Sequence, residues 1–201
     1  MTKFTQLEQI DEGDVIVACS FGRNSLRDKE LYVISRIYNQ TQNQDFVATA
    51  ALLKLGFDPG LPNREIAELC QRLSSQTARP MILQWEVAAA LDLYWYQQNQ
   101  KRIIAVWPPE NGSHLSTRGF ALTAQDIMNI AGLRKPILVT HNYHQLRASL
   151  IFKKLGLNPI IIDTKINSFD ANSVQPFTRS LKNWMAREIP SRIYHWFAEW
   201  I

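Results

Sequence analysis

The chain has 201 residues, of which 46% are hydrophobic and 20% charged, and it carries a formal net charge of +4. These fractions exclude wholesale disorder and suit one α/β domain of ordinary size. No Lys/Arg run long enough to suggest a basic tail is present, so nucleic acid is not an expected partner.

The opening stretch, MTKFTQLEQIDEGD, is polar and acidic and lacks the apolar stretch of a secretory signal. No apolar run approaches the length of a transmembrane helix, so a soluble, cytoplasmic setting is the expectation. The only cysteines are Cys19 and Cys70, with no CxxC or Cys/His cluster. Neither a zinc site nor a disulfide framework is expected.

Short apolar runs alternate with longer helical patterns. The runs Asp14–Cys19 (DVIVAC), Pro80–Gln84 (PMILQ), Ile103–Trp107 (IIAVW), Pro136–Thr140 (PILVT) and Pro159–Asp163 (PIIID) are nearly continuous in apolar character. That is the signature of strands buried on both faces of a parallel sheet. Three of the runs open with Pro, which a strand tolerates at its first residue.

Helical periodicity covers Leu26–Tyr38, Phe46–Leu55 before Gly56, Arg64–Leu73 with Asn63 as its cap, Glu86–Gln97, Thr123–Ala131, and Gln145–Leu155 before Gly156. Asn39–Gln44 reads as a loop. The last segment, Phe177–Trp200, is amphipathic and should kink or break at Pro190. This order predicts a Rossmann-like, doubly wound, mainly parallel α/β sheet of about five strands with helices on both faces. The segment 24–79 is too long for one crossover helix and predicts a helical insertion or cap within a single domain.

In such sheets ligands bind outside the carboxyl ends of the strands. Ser20-Phe21-Gly22-Arg23 follows the first strand, Gln84-Trp85-Glu86 the second, and a loop with Glu110, His114, Ser116 and Thr117 the third. Thr140-His141-Asn142-Tyr143-His144 follows the fourth, with Arg147 a turn later.

His144 and Arg147 at i, i+3 share one face of a first helical turn, beside its amides and positive dipole end. Together with Arg23 and the backbone around Gly22 and Tyr143 they form a candidate anion site. The alternative is a His and an Arg that make local caps. His144 there is biased toward its neutral form, suited to a general base or a hydrogen-bond donor. Glu86 is a general base, a binder of ribose or sugar hydroxyls, or a first-turn carboxylate that complements the dipole. Thr117 and Thr140 offer hydroxyls.

The dinucleotide and P-loop glycine patterns are absent, so no cofactor is identified. No metal cluster is evident, although Glu86 and Glu110 can share a divalent ion with a phosphate. Trp184, Trp196 and Trp200 with Arg187 and Arg192 leave membrane contact open as a lesser reading. The stronger reading packs Leu181, Trp184, Ile193 and Phe197 on the sheet.

Leu138–Ala148 (LVTHNYHQLRA), running into Phe152-Lys153-Lys154-Leu155-Gly156, resembles the hallmark of the DUF218, or YdcF-like, family. That pattern is a strand, "VTs", and then an "HxxRa" helix. Trp184, Arg187-Glu188, Tyr194 and Trp200-Ile201 resemble the family's closing helix. The resemblance implies a Rossmann-like fold with a charged pocket at the strand ends, and a link in some members, SanA and ElyC among them, to the cell envelope. It maps His144 and Arg147 well, and Glu86 and Thr117 onto a Glu and a Thr of the family pattern. Gln84-Trp85 replaces the usual Ser-Gly-Gly, and Arg118-Gly119-Phe120 lacks the Glu and Asn that follow the family Thr.

The functional expectation is an enzyme that holds an anionic, phosphorylated or nucleotide-like small molecule and carries out hydrolysis or group transfer. Ser20, Gly22, Arg23, Thr117, Thr140, Tyr143 and Arg147 would bind, and His144 and Glu86 would catalyse. The alternative is a regulatory module that binds a nucleotide or an S-adenosylmethionine-type ligand without turnover. The sequence does not fix the oligomeric state.

Overall fold

A computed structural model describes residues 13–24, 31–41, 44–109, 111 and 113–197, without the side chains of 31–32 and 191–197. The strands are β1 (Val15–Ala18), β2 (Met81–Gln84), β3 (Ile103–Val106), β4 (Pro136–Val139) and β5 (Ile160–Ile161). They form one sheet in the order β3-β2-β1-β4-β5. Every pairing is parallel, with Val17 between Ile82 and Leu138. Every residue of β1, β2 and β4 is buried, as continuous apolar runs covered on both faces require. The five strands lie within a residue or two of the apolar runs that predicted them.

The helices are α1 (Leu31–Gln40), α2 (Asp45–Lys54), α3 (Leu61–Thr77), α4 (Trp85–Ala88), α5 (Leu93–Asn99), α6 (Thr117–Ala131), α7 (Asn142–Lys154) and α8 (Leu181–Phe197). α3 packs on β1 and β4, whereas α6 and α7 pack side by side against β3 and β4. The architecture is α/β, doubly wound and Rossmann-like. The chain steps from β1 outward to β3 and then returns across the sheet to β4. That reversal leaves a crevice outside the carboxyl ends of β1 and β4, the switch point of this topology.

α1 and α2 are an added pair lying toward β3. Asp45, at the start of α2, accepts hydrogen bonds from the Ala105 N–H at 2.8 Å and from the Trp107 indole N–H at 2.9 Å. A side chain thus occupies an amide of the outer strand, where an open edge invites pairing with another chain. Burial pushes the Asp45 carboxyl above its ordinary value, and these bonds oppose the shift. Tyr38 of α1 stacks on Trp107 with ring centres 4.9 Å apart.

Several boundaries differ from the sequence expectation for identifiable reasons. Asn63 does not cap the third helix: α3 starts at Leu61 after Gly60, and Asn63 lies buried inside its first turn. Glu86–Gln97 is two helices, because Asp92 starts α5 afresh by accepting a hydrogen bond from the Trp95 N–H at 2.8 Å. α6 begins six residues early, at Thr117, because the Ser116 hydroxyl accepts from the Gly119 N–H at 3.0 Å. α1 continues to Gln40, into the expected loop 39–44.

α8 runs through Pro190 rather than breaking there. Leu181 is exposed rather than packed on the sheet, and Trp184 is buried beside Phe21 and Phe177 instead. Residues 26–30, 42–43, 110 and 198–201 lie outside the described residues. So do the N-terminal stretch 1–12 and the side chains of Arg192, Ile193, Tyr194, Trp196 and Phe197. Among the described residues, no helix is long and apolar enough to cross a membrane. Cys19 and Cys70 are buried and unpaired with each other, and burial pushes the Cys19 thiol up to about 12.

Candidate functional site

The loop leaving β1 is built to be rigid. Gly22 has φ +72°, a conformation side chains rarely adopt. A Cβ there would lie 2.5 Å from Thr178 Oγ1 and 3.0 Å from Ser173 Oγ. Asn63 holds the same loop from the other side. Its Oδ1 accepts from the Phe21 N–H at 2.8 Å, and its Nδ2 donates to the carbonyls of Gly22 and Pro59 at 2.5 and 2.7 Å. The Arg23 carbonyl accepts from the Val174 N–H at 2.8 Å and from the Ser173 hydroxyl at 3.0 Å.

This loop forms part of the floor of a cavity of about 370 Å³ at the switch point. Ser20, Gly22 and Gln84 line it from β1 and β2, Thr117 from the start of α6, and His144 and Arg147 from α7. The 3-10 turn Pro176–Thr178 and α8 close the far side with Phe177, Trp184 and Arg187. Among the described lining residues are the three arginines 118, 147 and 187 and the histidines 114 and 144, and neither Asp nor Glu.

A hydrogen-bonded chain runs along one wall. Arg147 Nη1 donates to Glu188 Oε2 at 2.8 Å, joining α7 to α8. Arg147 Nη2 lies 3.1 Å from His144 Nδ1, and His144 Nε2 lies 3.2 Å from Thr117 Oγ1. Arginine has donors and no acceptor, so His144 Nδ1 accepts and Nε2 carries the hydrogen. Burial drives the His144 pKa well below its ordinary value, and the Arg147 charge adds to this. In that tautomer His144 is a fixed donor to Thr117 and presents no lone pair to the cavity. Of the two roles the sequence left open, this geometry fits the hydrogen-bond donor.

Beneath the floor lies a second pair. Arg23 and Glu86 are almost wholly buried, with Nη1 and Oε1 3.7 Å apart. Burial pushes the Glu86 carboxyl up to about 7, against the opposing Arg23 charge and hydrogen bonds from Ser20 and Gln84. Glu86 Oε2 is buried with no hydrogen-bond partner among the described residues. Ser20 and Gln84 line the cavity, whereas Glu86 does not.

The structure therefore brings Ser20, Gly22, Thr117, His144 and Arg147 together around one hollow, with Arg23 and Glu86 behind its floor. It leaves out two residues. Tyr143 is half-exposed beside His141 and Phe169, and Thr140 is fully buried with a hydroxyl that has no hydrogen-bond partner among the described residues.

The expected anion cradle at the start of α7 is also corrected. The amides of Asn142, Tyr143 and His144 are taken by the Ile166 carbonyl, His141 Nδ1 and the His141 carbonyl. His141 is locked in turn, stacked on Phe21 at 3.8 Å and bonded through Nε2 to the Ser168 carbonyl at 2.8 Å.

Sequence reasoning missed Gln175, Phe177 and Thr178 as cavity walls and Glu188 as the partner of Arg147. The one available signal was the spacing of Trp184, Arg187 and Glu188 on a single helix. Glu110 lies outside the described residues, so a metal shared with Glu86 has no geometry here. The chain has no significant match to a protein-family model, to a curated protein or to a solved structure.

Proposed function

We propose that the protein binds a small phosphorylated anion in the cavity over the β1–β4 switch point. The observation that carries this reading is a lining with three arginines and no carboxylate among the described residues. Such a hollow concentrates positive potential and favours an anion over a neutral ligand. Arg118 and Arg187 supply charge at the exposed mouth, Thr117 and Ser20 supply hydroxyls inside, and Arg147 is braced by Glu188. The DUF218 resemblance supports the same reading, because its two best-matching residues, His144 and Arg147, are hydrogen-bonded neighbours on the wall. A role at the cell envelope rests on that resemblance alone.

Turnover of the bound ligand by hydrolysis or group transfer is the enzymatic form of the proposal. Glu86 then has a proton to give near neutral pH, relayed through Ser20, and His144 stabilises developing negative charge through Thr117. A binding module without turnover is the second reading. It is favoured by the fact that neither His144 nor Glu86 offers a lone pair to the cavity.

Calorimetry with inorganic phosphate and pyrophosphate, at low and high salt, tests the shared claim. Binding that weakens with salt and drops about tenfold in Arg187→Ala is expected. No binding at millimolar phosphate, or indifference to Arg187→Ala and Arg118→Ala together, overturns it. Hydrolysis of a phosphate ester that is lost in Glu86→Gln selects the enzyme, and binding without turnover selects the module.

A further inference from the structure

We infer that the ligand of this cavity is a phosphorylated polyol, of the sugar-phosphate class, held with its hydroxyl-bearing body inward and its phosphate at the mouth. This rests on the anion-binding reading above. Two independent features of the lining point to it.

The first is the separation of charge from neutral hydrogen-bonding groups. Arg118 and Arg187 are exposed, on α6 and α8, and mark the mouth. The inner lining carries neutral groups instead: Ser20, Gln175, and Thr117 with its fixed His144 donor, whereas Gln84 is engaged by the Ser20 N–H and by Glu86. Arg147, the one inner guanidinium among the described lining residues, already has Glu188 at 2.8 Å. A second full charge placed deep would meet a compensated cation. A hydroxyl-rich body there meets donors and acceptors in mixed array, which is what several adjacent OH groups need.

The second feature is the state of the aromatic rings. A nucleotide base binds best on an open aromatic or guanidinium face. The ring of Phe21 is stacked face to face on His141 at 3.8 Å and is 3% exposed. Trp184 is 2% exposed and has the Arg147 guanidinium 5.1 Å from its ring centre. Phe177 is covered by the Arg187 guanidinium at 3.7 Å. The rings thus form a filled wall with no open ring face inside for a purine, and the exposed guanidiniums of Arg118 and Arg187 lie at the mouth, where the phosphate is placed. A non-aromatic body needs no such face.

Calorimetry on the full chain with glucose 6-phosphate, glucose, AMP and inorganic phosphate tests the inference. Glucose 6-phosphate should bind at least tenfold more tightly than AMP or inorganic phosphate, and glucose should bind far more weakly. Thr117→Val should weaken glucose 6-phosphate five- to tenfold more than it weakens inorganic phosphate, whereas Arg187→Ala should weaken both alike. If AMP equals or exceeds glucose 6-phosphate while inorganic phosphate still binds, the polyol assignment is overturned and the anion site stands. If Thr117→Val weakens both ligands equally, the inward orientation is wrong. If no phosphate compound binds, the anion reading fails and takes this inference with it.

Discussion

The bond between Arg147 and Glu188 sets the chemical state of the cavity wall, and a double-mutant cycle on it has a worked magnitude. At 2.8 Å and an effective dielectric near 20, opposite unit charges attract by about 6 kcal/mol. Withdrawing Glu188 from water, at 3% side-chain exposure, consumes several kcal/mol of that. Arg147 keeps 18% exposure, so solvent screens it further. A net coupling of about 2 kcal/mol remains.

Arg147→Met and Glu188→Gln should each cost about 2–3 kcal/mol in urea unfolding, and the double variant should cost clearly less than the two together. Imidazole nitrogen NMR gives the second readout. In the parent protein His144 should carry its hydrogen on Nε2 and stay neutral well below its ordinary 6.5. In Arg147→Met the repelling cation is gone and Nδ1 loses its donor, so the His144 pKa should rise. Coupling near zero, or a parent His144 that is protonated on Nδ1 or titrates near 6.5, would refute this account of the wall.

Other substitutions probe the frame around the site. Gly22→Ala should destabilise by roughly 2–4 kcal/mol, from a left-handed backbone together with a Cβ forced against Thr178 and Ser173; a cost below about 0.5 kcal/mol in denaturant would refute the close approach. Asn63→Leu strands a buried amide and two carbonyls, so a loss of about 3 kcal/mol or more is expected in thermal melts, and a neutral outcome would deny Asn63 its clamping role.

Stability should also depend on acid in a specific way. Burial holds the His141 pKa at about 4 against an ordinary 6.5, so as pH falls from 6.5 to about 4 the unfolded chain gains a proton that the fold refuses, costing roughly 3 kcal/mol. Glu86 acts oppositely: its raised pKa means that the fold gains stability as pH falls from about 7 to 4.5. Glu86→Gln should therefore steepen the stability loss between pH 7 and 5, and parallel melting curves for the two proteins would contradict the buried acid.

What the sequence revealed was mostly what short-range chemistry decides. A continuous apolar run such as PILVT has few fates in a chain of this size, so the strands and their parallel arrangement were legible. The pairing of His144 with Arg147 was legible too, because i, i+3 spacing fixes it within one helix turn. Asn63 was misread because capping propensity is local, whereas its partners Phe21 and Gly22 lie 42 and 41 residues away. The first amides of α7 looked available for the same reason: nothing near Asn142 announces that the Ile166 carbonyl comes back to meet it. Glu188 braces Arg147, which sets the His144 tautomer, from another helix, and no spacing rule reaches that far. The outer walls of the cavity come from 175–187, after the last strand, where a Rossmann pattern makes no promise about packing.

One consequence follows from having the final helix serve as a wall. Trp184 and Arg187 border the hollow, so the hollow exists only while α8 is docked. Three residues past Arg187, Pro190 withholds an amide from the helix ladder and weakens that end. Occupancy and docking are then a single linked equilibrium. Whatever fills the chamber tightens α8, and whatever peels α8 away discharges the contents.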